Sequence, residues 1–71
     1  MKPIRFKDLR GKLLKAGFYE VGQTGSHVKF ARIVNLGTIT ATVPKHTEIA
    51  AGTLRSILRQ AGISESEFAK L

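Results

Sequence analysis

The sequence predicts an α+β fold, a three-stranded antiparallel sheet with two helices on one face and a short helix at the C-terminus. Three observations carry this. Apolar residues recur at helical spacing near both ends, at Phe6, Leu9, Leu13 and Ala16 and again at Leu54, Ile57, Leu58 and Ala61. Between them, three runs rich in β-branched and aromatic residues follow a period of two. Turn residues, Gly25-Ser26 and Asn35-Leu36-Gly37, separate those runs. Two helices covering one face of a sheet is the economical packing for this order of elements.

In the first helix Leu14 broadens the apolar stripe, basic residues fall mostly between the apolar positions, and Pro3 is placed to open it. Gly17 suits the left-handed position that follows a helix. Gly11 inside the run costs about 1 kcal/mol relative to alanine, which packing must offset. The strands are expected over Phe18 to Thr24, His27 to Val34 and Thr38 to Val43, with Pro44 stopping the last. Alternation puts Val28, Phe30 and Val34 on one face of the second strand and His27, Lys29, Ala31 and Ile33 on the other. In the third, Ile39, Ala41 and Val43 oppose Thr38, Thr40 and Thr42. One face is therefore apolar and covered. The other carries histidine, lysine and threonines, with no bulky apolar patch expected. After a loop over Lys45 to Ala51 comes the second helix, ended by Gly62, with Ile63 placed for the apolar contact of a Schellman motif. Ser64 and Glu67 form a capping box for the last short helix, with Ile63 and Phe68 as its hydrophobic staple.

The chain has 71 residues, enough for one small domain over residues 1–71, and its 12 Lys+Arg against 5 Asp+Glu give a formal charge of +7. A cationic surface of this kind points to a polyanion, most commonly nucleic acid, or to an acidic protein partner. The absence of cysteine removes disulfides, thiolate zinc sites and cysteine nucleophiles together. No apolar run is long enough to cross a bilayer, and no apolar stretch follows the charges of Met1 to Asp8 as in a secretory signal, so a cytoplasmic location is expected.

The acids Asp8, Glu20, Glu48, Glu65 and Glu67 are scattered, which leaves no carboxylate set for a two-metal nuclease. Phosphate chemistry would rest on histidine and cations, and no metal or cofactor is expected. His27 and His46 are the side chains whose ordinary pKa lies near neutrality. His27 opens the second strand beside Lys29, directly after a glycine-bearing turn that lets a phosphate backbone approach. Ser26 lacks the His–acid arrangement of a triad and reads as structural or phosphate-contacting. Arg55 and Arg59, one turn apart on the second helix, suit phosphates, an acidic partner or plain solvent.

Four segments in order, Leu13 to Phe18, Gly25 to Phe30, Val43 to His46 and Gly52 to Ser64, resemble the HicA toxin family over nearly the whole chain. The resemblance implies a fold like the double-stranded-RNA-binding domain and an mRNA interferase that cuts RNA. It also implies a HicB antitoxin that neutralises the toxin, and a catalytic histidine at His27. On this reading His27 moves a proton while a ribose 2′-OH attacks phosphorus, and Lys29 steadies the phosphate. Gly25, Ser26, Lys29, Lys45, His46, Arg55 and Arg59 contact nucleic acid, and His46, Lys45 or the substrate supplies the second proton transfer. The rivals are a non-catalytic RNA-binding module of the same architecture and a basic protein that only binds an acidic partner.

Overall fold

The computed structural model describes all 71 residues. The chain runs β1 (Ile4–Arg5), α1 (Phe6–Lys15), β2 (Tyr19–Thr24), β3 (His27–Val34), β4 (Gly37–Pro44), β5 (Glu48–Ile49), α2 (Ala51–Ala61) and α3 (Glu65–Ala69). β2, β3 and β4 form the antiparallel sheet in sequence order, which gives the expected α+β architecture. No helix is long and apolar enough to cross a membrane.

Alternation decides which side of the sheet is covered. Val28 and Phe30 of β3 and Ala41 and Val43 of β4 are buried, and they join Leu9 and Leu13 of α1 with Leu54, Ile57, Leu58 and Ala61 of α2 in one core cluster. All 15 buried residues are apolar, and 14 of them belong to this cluster. The exception is Ala31, which alternation places on the opposite face of β3. α2 packs chiefly against β4, and its Gln60 side-chain oxygen accepts a hydrogen bond from the Thr42 N–H at 3.1 Å. That N–H belongs to an edge strand and would otherwise face outward unpaired.

Both long helices end the same way. Phe18 N–H donates to Leu13 C=O at 3.0 Å and Gly17 N–H to Leu14 C=O at 3.1 Å, with Gly17 at φ +96°. Ile63 and Gly62 repeat the pattern on Leu58 and Arg59, at 3.0 and 3.3 Å, with Gly62 at φ +70°. These are Schellman motifs, and the apolar pairs Leu13/Phe18 and Leu58/Ile63 that accompany them are buried.

The N-terminal side differs from expectation. Pro3 does not open α1, because residues 4 and 5 are drawn into an extended pair with β5, Ile4 opposite Ile49 and Arg5 opposite Glu48. Phe6 N–H then donates to Thr47 C=O at 3.2 Å. The segment read as a loop before α2 thus contains a strand, two residues long and too short to show a period. Gly11 differs too. A Cβ built there meets nothing within 4 Å, so no close packing offsets its conformational cost.

α3 follows its capping signal. Ser64 Oγ accepts from Glu67 N–H at 3.1 Å, and Glu67 Oε1 accepts from Ser64 N–H at 3.2 Å. Ile63 and Phe68 are both buried as the staple requires. Lys12 of α1 holds the end of this helix, donating to Phe68 C=O at 3.1 Å with its ammonium 4.4 Å from the Phe68 ring centroid. The hydrogen bond from the Ser64 backbone, then that from its side chain, hold the Glu67 carboxyl below its ordinary value of 4.5, and the charges of Arg32 and Lys70 act in the same direction.

Two outcomes follow for stability. Gly11→Ala is expected to raise it by about 0.5–1 kcal/mol in a denaturant titration, since alanine removes backbone entropy without meeting a neighbour. A depressed carboxylate pKa stabilises the fold above the unfolded-state value and loses that contribution as pH falls through the folded-state value. Melting temperature should therefore drop on acidification below about pH 4.5, and Glu67→Gln, which keeps a capping side chain, should flatten that part of the profile.

Candidate functional site

The β2–β3 hairpin closes on Gly25 and Ser26, with Thr24 opposite His27. Gly25 has φ +57° and Ser26 does not have a positive φ, the pattern of a two-residue turn with glycine first, whose twist matches the strands. Two bonds fix the turn from outside. Gln23 Nε2 donates to Gly25 C=O at 2.9 Å, and the Lys45 N–H donates to Ser26 C=O.

His27, the first residue of β3, stands between Thr24 of β2 and Pro44 of β4. Lys29, two residues on and so on the same face, stands between Gly22 and Thr42. A shallow hollow of about 360 Å³ is lined by Val21, Gly22, Gln23, Thr24, His27, Lys29 and Thr42. His27 and Lys29 are both exposed. A register irregularity between Glu20 and Gly22 makes Val21 an extra residue in β2 and leaves a glycine, without a side chain, directly beside Lys29.

The hollow contains no carboxylate. The chain's one ion pair, Arg10–Glu20, lies on the helix side of the sheet, since Glu20 pairs with the buried Phe30. No three His, Asp or Glu side chains come together as a metal-ligating group. An exposed imidazole next to an unpaired ammonium is an arrangement suited to proton transfer at an anionic substrate.

The other residues singled out from the sequence fall in different places. Gly25 and Ser26 form the rim of the hollow, and Lys45 meets it through its backbone N–H on Ser26 and its ammonium on Gln23. Lys45 and His46 also line a second cleft with Arg5, Phe6, Lys7 and Thr47. Arg55 and Arg59 line a groove on α2 with Leu58, Ile63, Ser64 and Glu65, apart from His27. Thr42 stands on the open face as alternation predicts, while the contributions of Gln23 and Val21 are not read from the sequence. The bulge is the reason for β2: the two-residue turn fixes Thr24 opposite His27, and without the extra residue Val21 rather than Glu20 would stand opposite Phe30.

The open face also carries more apolar surface than expected. Tyr19, register partner of Ala31, is 45% exposed, Val21 55% and Ile33 72%. The expectation of no bulky apolar patch is therefore wrong. Aromatic and β-branched side chains that satisfy strand propensity at these positions have no helix above them on this face.

A sheet covered by helices on one side, with a histidine and a lysine standing on the other, defines a small α+β domain of the double-stranded-RNA-binding-domain-like kind. The family described as HicA toxin of bacterial toxin–antitoxin matches residues 6–63, from the start of α1 to the turn after α2, and the chain belongs to this family. Its role is that of a toxin, and membership implies an antitoxin partner. Among curated proteins no relative matches significantly.

Gly25→Ala tests the turn. The added Cβ meets no atom within 4 Å, so its penalty is the positive φ alone. A loss of about 1 kcal/mol or more is expected in denaturant unfolding, with shifted His27 imidazole resonances in NMR spectra.

Proposed function

We propose that this toxin is an endoribonuclease acting on mRNA, with His27 as the proton-transfer group. The observation that carries the reading is the exposure of His27 beside Lys29, on a sheet face free of carboxylates, at the rim of a glycine turn. The family membership supports it, because a toxin acting on RNA needs an accessible, cationic site of this sort.

In the proposed reaction His27 takes the proton of a ribose 2′-OH as that oxygen attacks the adjacent phosphorus. The bond to the 5′-oxygen breaks, that oxygen receives a proton, and the products are a cyclic phosphate and a 5′-hydroxyl. Lys29 faces the developing negative charge on the phosphoryl oxygens. The missing side chain at Gly22 and the bare backbone at Gly25 let the sugar–phosphate chain come close. Ser26 contacts the phosphate through its exposed hydroxyl or N–H. Lys45 and His46 approach from the adjoining cleft, His46 being available to protonate the leaving oxygen. Arg55 and Arg59 offer a separate cationic surface to a longer RNA or to the partner.

The antitoxin, on this reading HicB-like, covers the open sheet face. A net charge of +7 favours an acidic partner, and Tyr19, Val21 and Ile33 supply apolar area around the charged residues. One docking event would block His27 and bury surface that a chain of this size leaves exposed.

The deciding experiment compares purified wild type with His27→Ala on an RNA substrate. The substitution should lower the cleavage rate by about 10²–10⁴-fold. It should leave stability within about 0.5 kcal/mol, because the position is exposed. RNA carrying 2′-O-methyl groups should stay intact, and cutting of that RNA, or undiminished cutting by the variant, overturns the mechanism. Cleavage should persist in a chelator, since the site assembles no carboxylate cluster. RNA binding without cleavage would instead identify a non-catalytic RNA-binding module.

A further inference from the structure

Where β4 runs into the segment before β5, a cleft of about 360 Å³ is lined by Arg5, Phe6, Lys7, Lys45, His46 and Thr47. Three permanently cationic residues and a histidine line it together with one aromatic residue, Phe6, which is half-buried against the core. No carboxylate lines the cleft. Glu48 is the register partner of Arg5, yet the two form no ion pair, and Asp8 lines a different depression on α1. Like charges gathered by the fold with no carboxylate paired to them repel one another, and a bound phosphate relieves that repulsion.

The cleft adjoins the hollow around His27. Pro44 lies opposite His27, about 5 Å away between Cα atoms for such a pair, and Lys45 is the next residue, about 3.8 Å further. Gln23 links the two sites, since it lines the hollow and its side-chain oxygen accepts from Lys45 Nζ at 3.5 Å. A polynucleotide with one phosphate at His27 therefore has its neighbouring nucleotide at the mouth of the cleft.

We infer that Arg5, Phe6, Lys7, Lys45 and His46 form a nucleotide subsite for single-stranded RNA beside the bond cut at His27, with the phosphate among the cations and the base against Phe6. This rests on the ribonuclease reading for its direction along the strand. A base can reach Phe6 only when it is out of a helical stack, which selects single strands over duplex.

The test uses the full chain carrying His27→Ala, so that RNA binds without being cut, and a fluorescent single-stranded oligoribonucleotide titrated across a range of salt. Adding Arg5→Gln and Lys7→Gln should weaken binding by about tenfold or more and lower the salt slope by about 0.7 for each lost phosphate contact. Phe6→Leu, which keeps an apolar side chain and removes the aromatic face, should weaken binding with the slope unchanged. Lys70→Gln, at the residue that follows α3, serves as the charge control and should change affinity less than twofold, with thermal melts verifying that every variant is folded. Affinity and slope equal to the His27→Ala parent overturn the subsite, as does an equal loss in the Lys70 variant or a duplex bound as tightly as the single strand. These outcomes are separable from failure of the ribonuclease reading. If the wild type cuts no RNA while the cleft variants still bind poorly, the subsite stands as an RNA-binding site and the catalytic proposal falls.

Discussion

A strand can bury only one of its two faces, and in this chain Phe30 decides which. With Phe30 inaccessible at the centre of the core and Val28 beside it, the pleat turns His27 and Lys29 outward with no further instruction. The exposure of the imidazole is thus the geometric counterpart of the burial that holds the sheet to its helices. Sliding β3 by one residue would place a lysine and a histidine among leucines, so the register of the site and the stability of the fold are one constraint. The flanking strands inherit it through their pairing, which is why Thr42 and Gly22 come to lie beside Lys29 and Thr24 and Pro44 beside His27.

The ends of the elements convert that sheet into a site. Positive φ at Gly17 and Gly62 lets the chain leave each helix and drop Phe18 or Ile63 straight into the core. The glycine at position 25 does the same for the hairpin, allowing a two-residue reversal that brings β3 to begin on its histidine. At the opposite side, the β1–β5 pair joins the start of α1 to the segment leaving β4. Arg5 and Lys7 are thereby carried to Lys45 and His46, four residues from two distant parts of the chain that share no local sequence signal.

Most of the architecture was legible because its signals are local or periodic. The capping box at Ser64 and Glu67, the glycines after both helices and the alternation of β3 each rest on chemistry within a few residues, and each is found where it was read. The bulge at Val21 was not legible, since an extra residue in a strand looks like any other residue until its partner is known. Nor was β1, whose two residues pair across more than forty positions. The candidate site divides in the same way. His27 and Lys29 share a face by strand period alone, whereas Gln23 and the cleft residues owe their positions to tertiary pairing. Charge alone groups Arg55 and Arg59 with them, yet helix α2 carries both to a separate groove.

The amide of Gln60 has an architectural effect beyond the hydrogen bond it makes. By occupying the Thr42 N–H, it takes one outward donor of the β4 border, so a strand pairing along the whole of that edge must first displace a helix residue. The β2 border has no such side-chain plug, and it is the margin that also bears Tyr19 and the bulged Val21. A polypeptide that extended the sheet at β2 would arrive alongside the hollow rather than across the molecule from it.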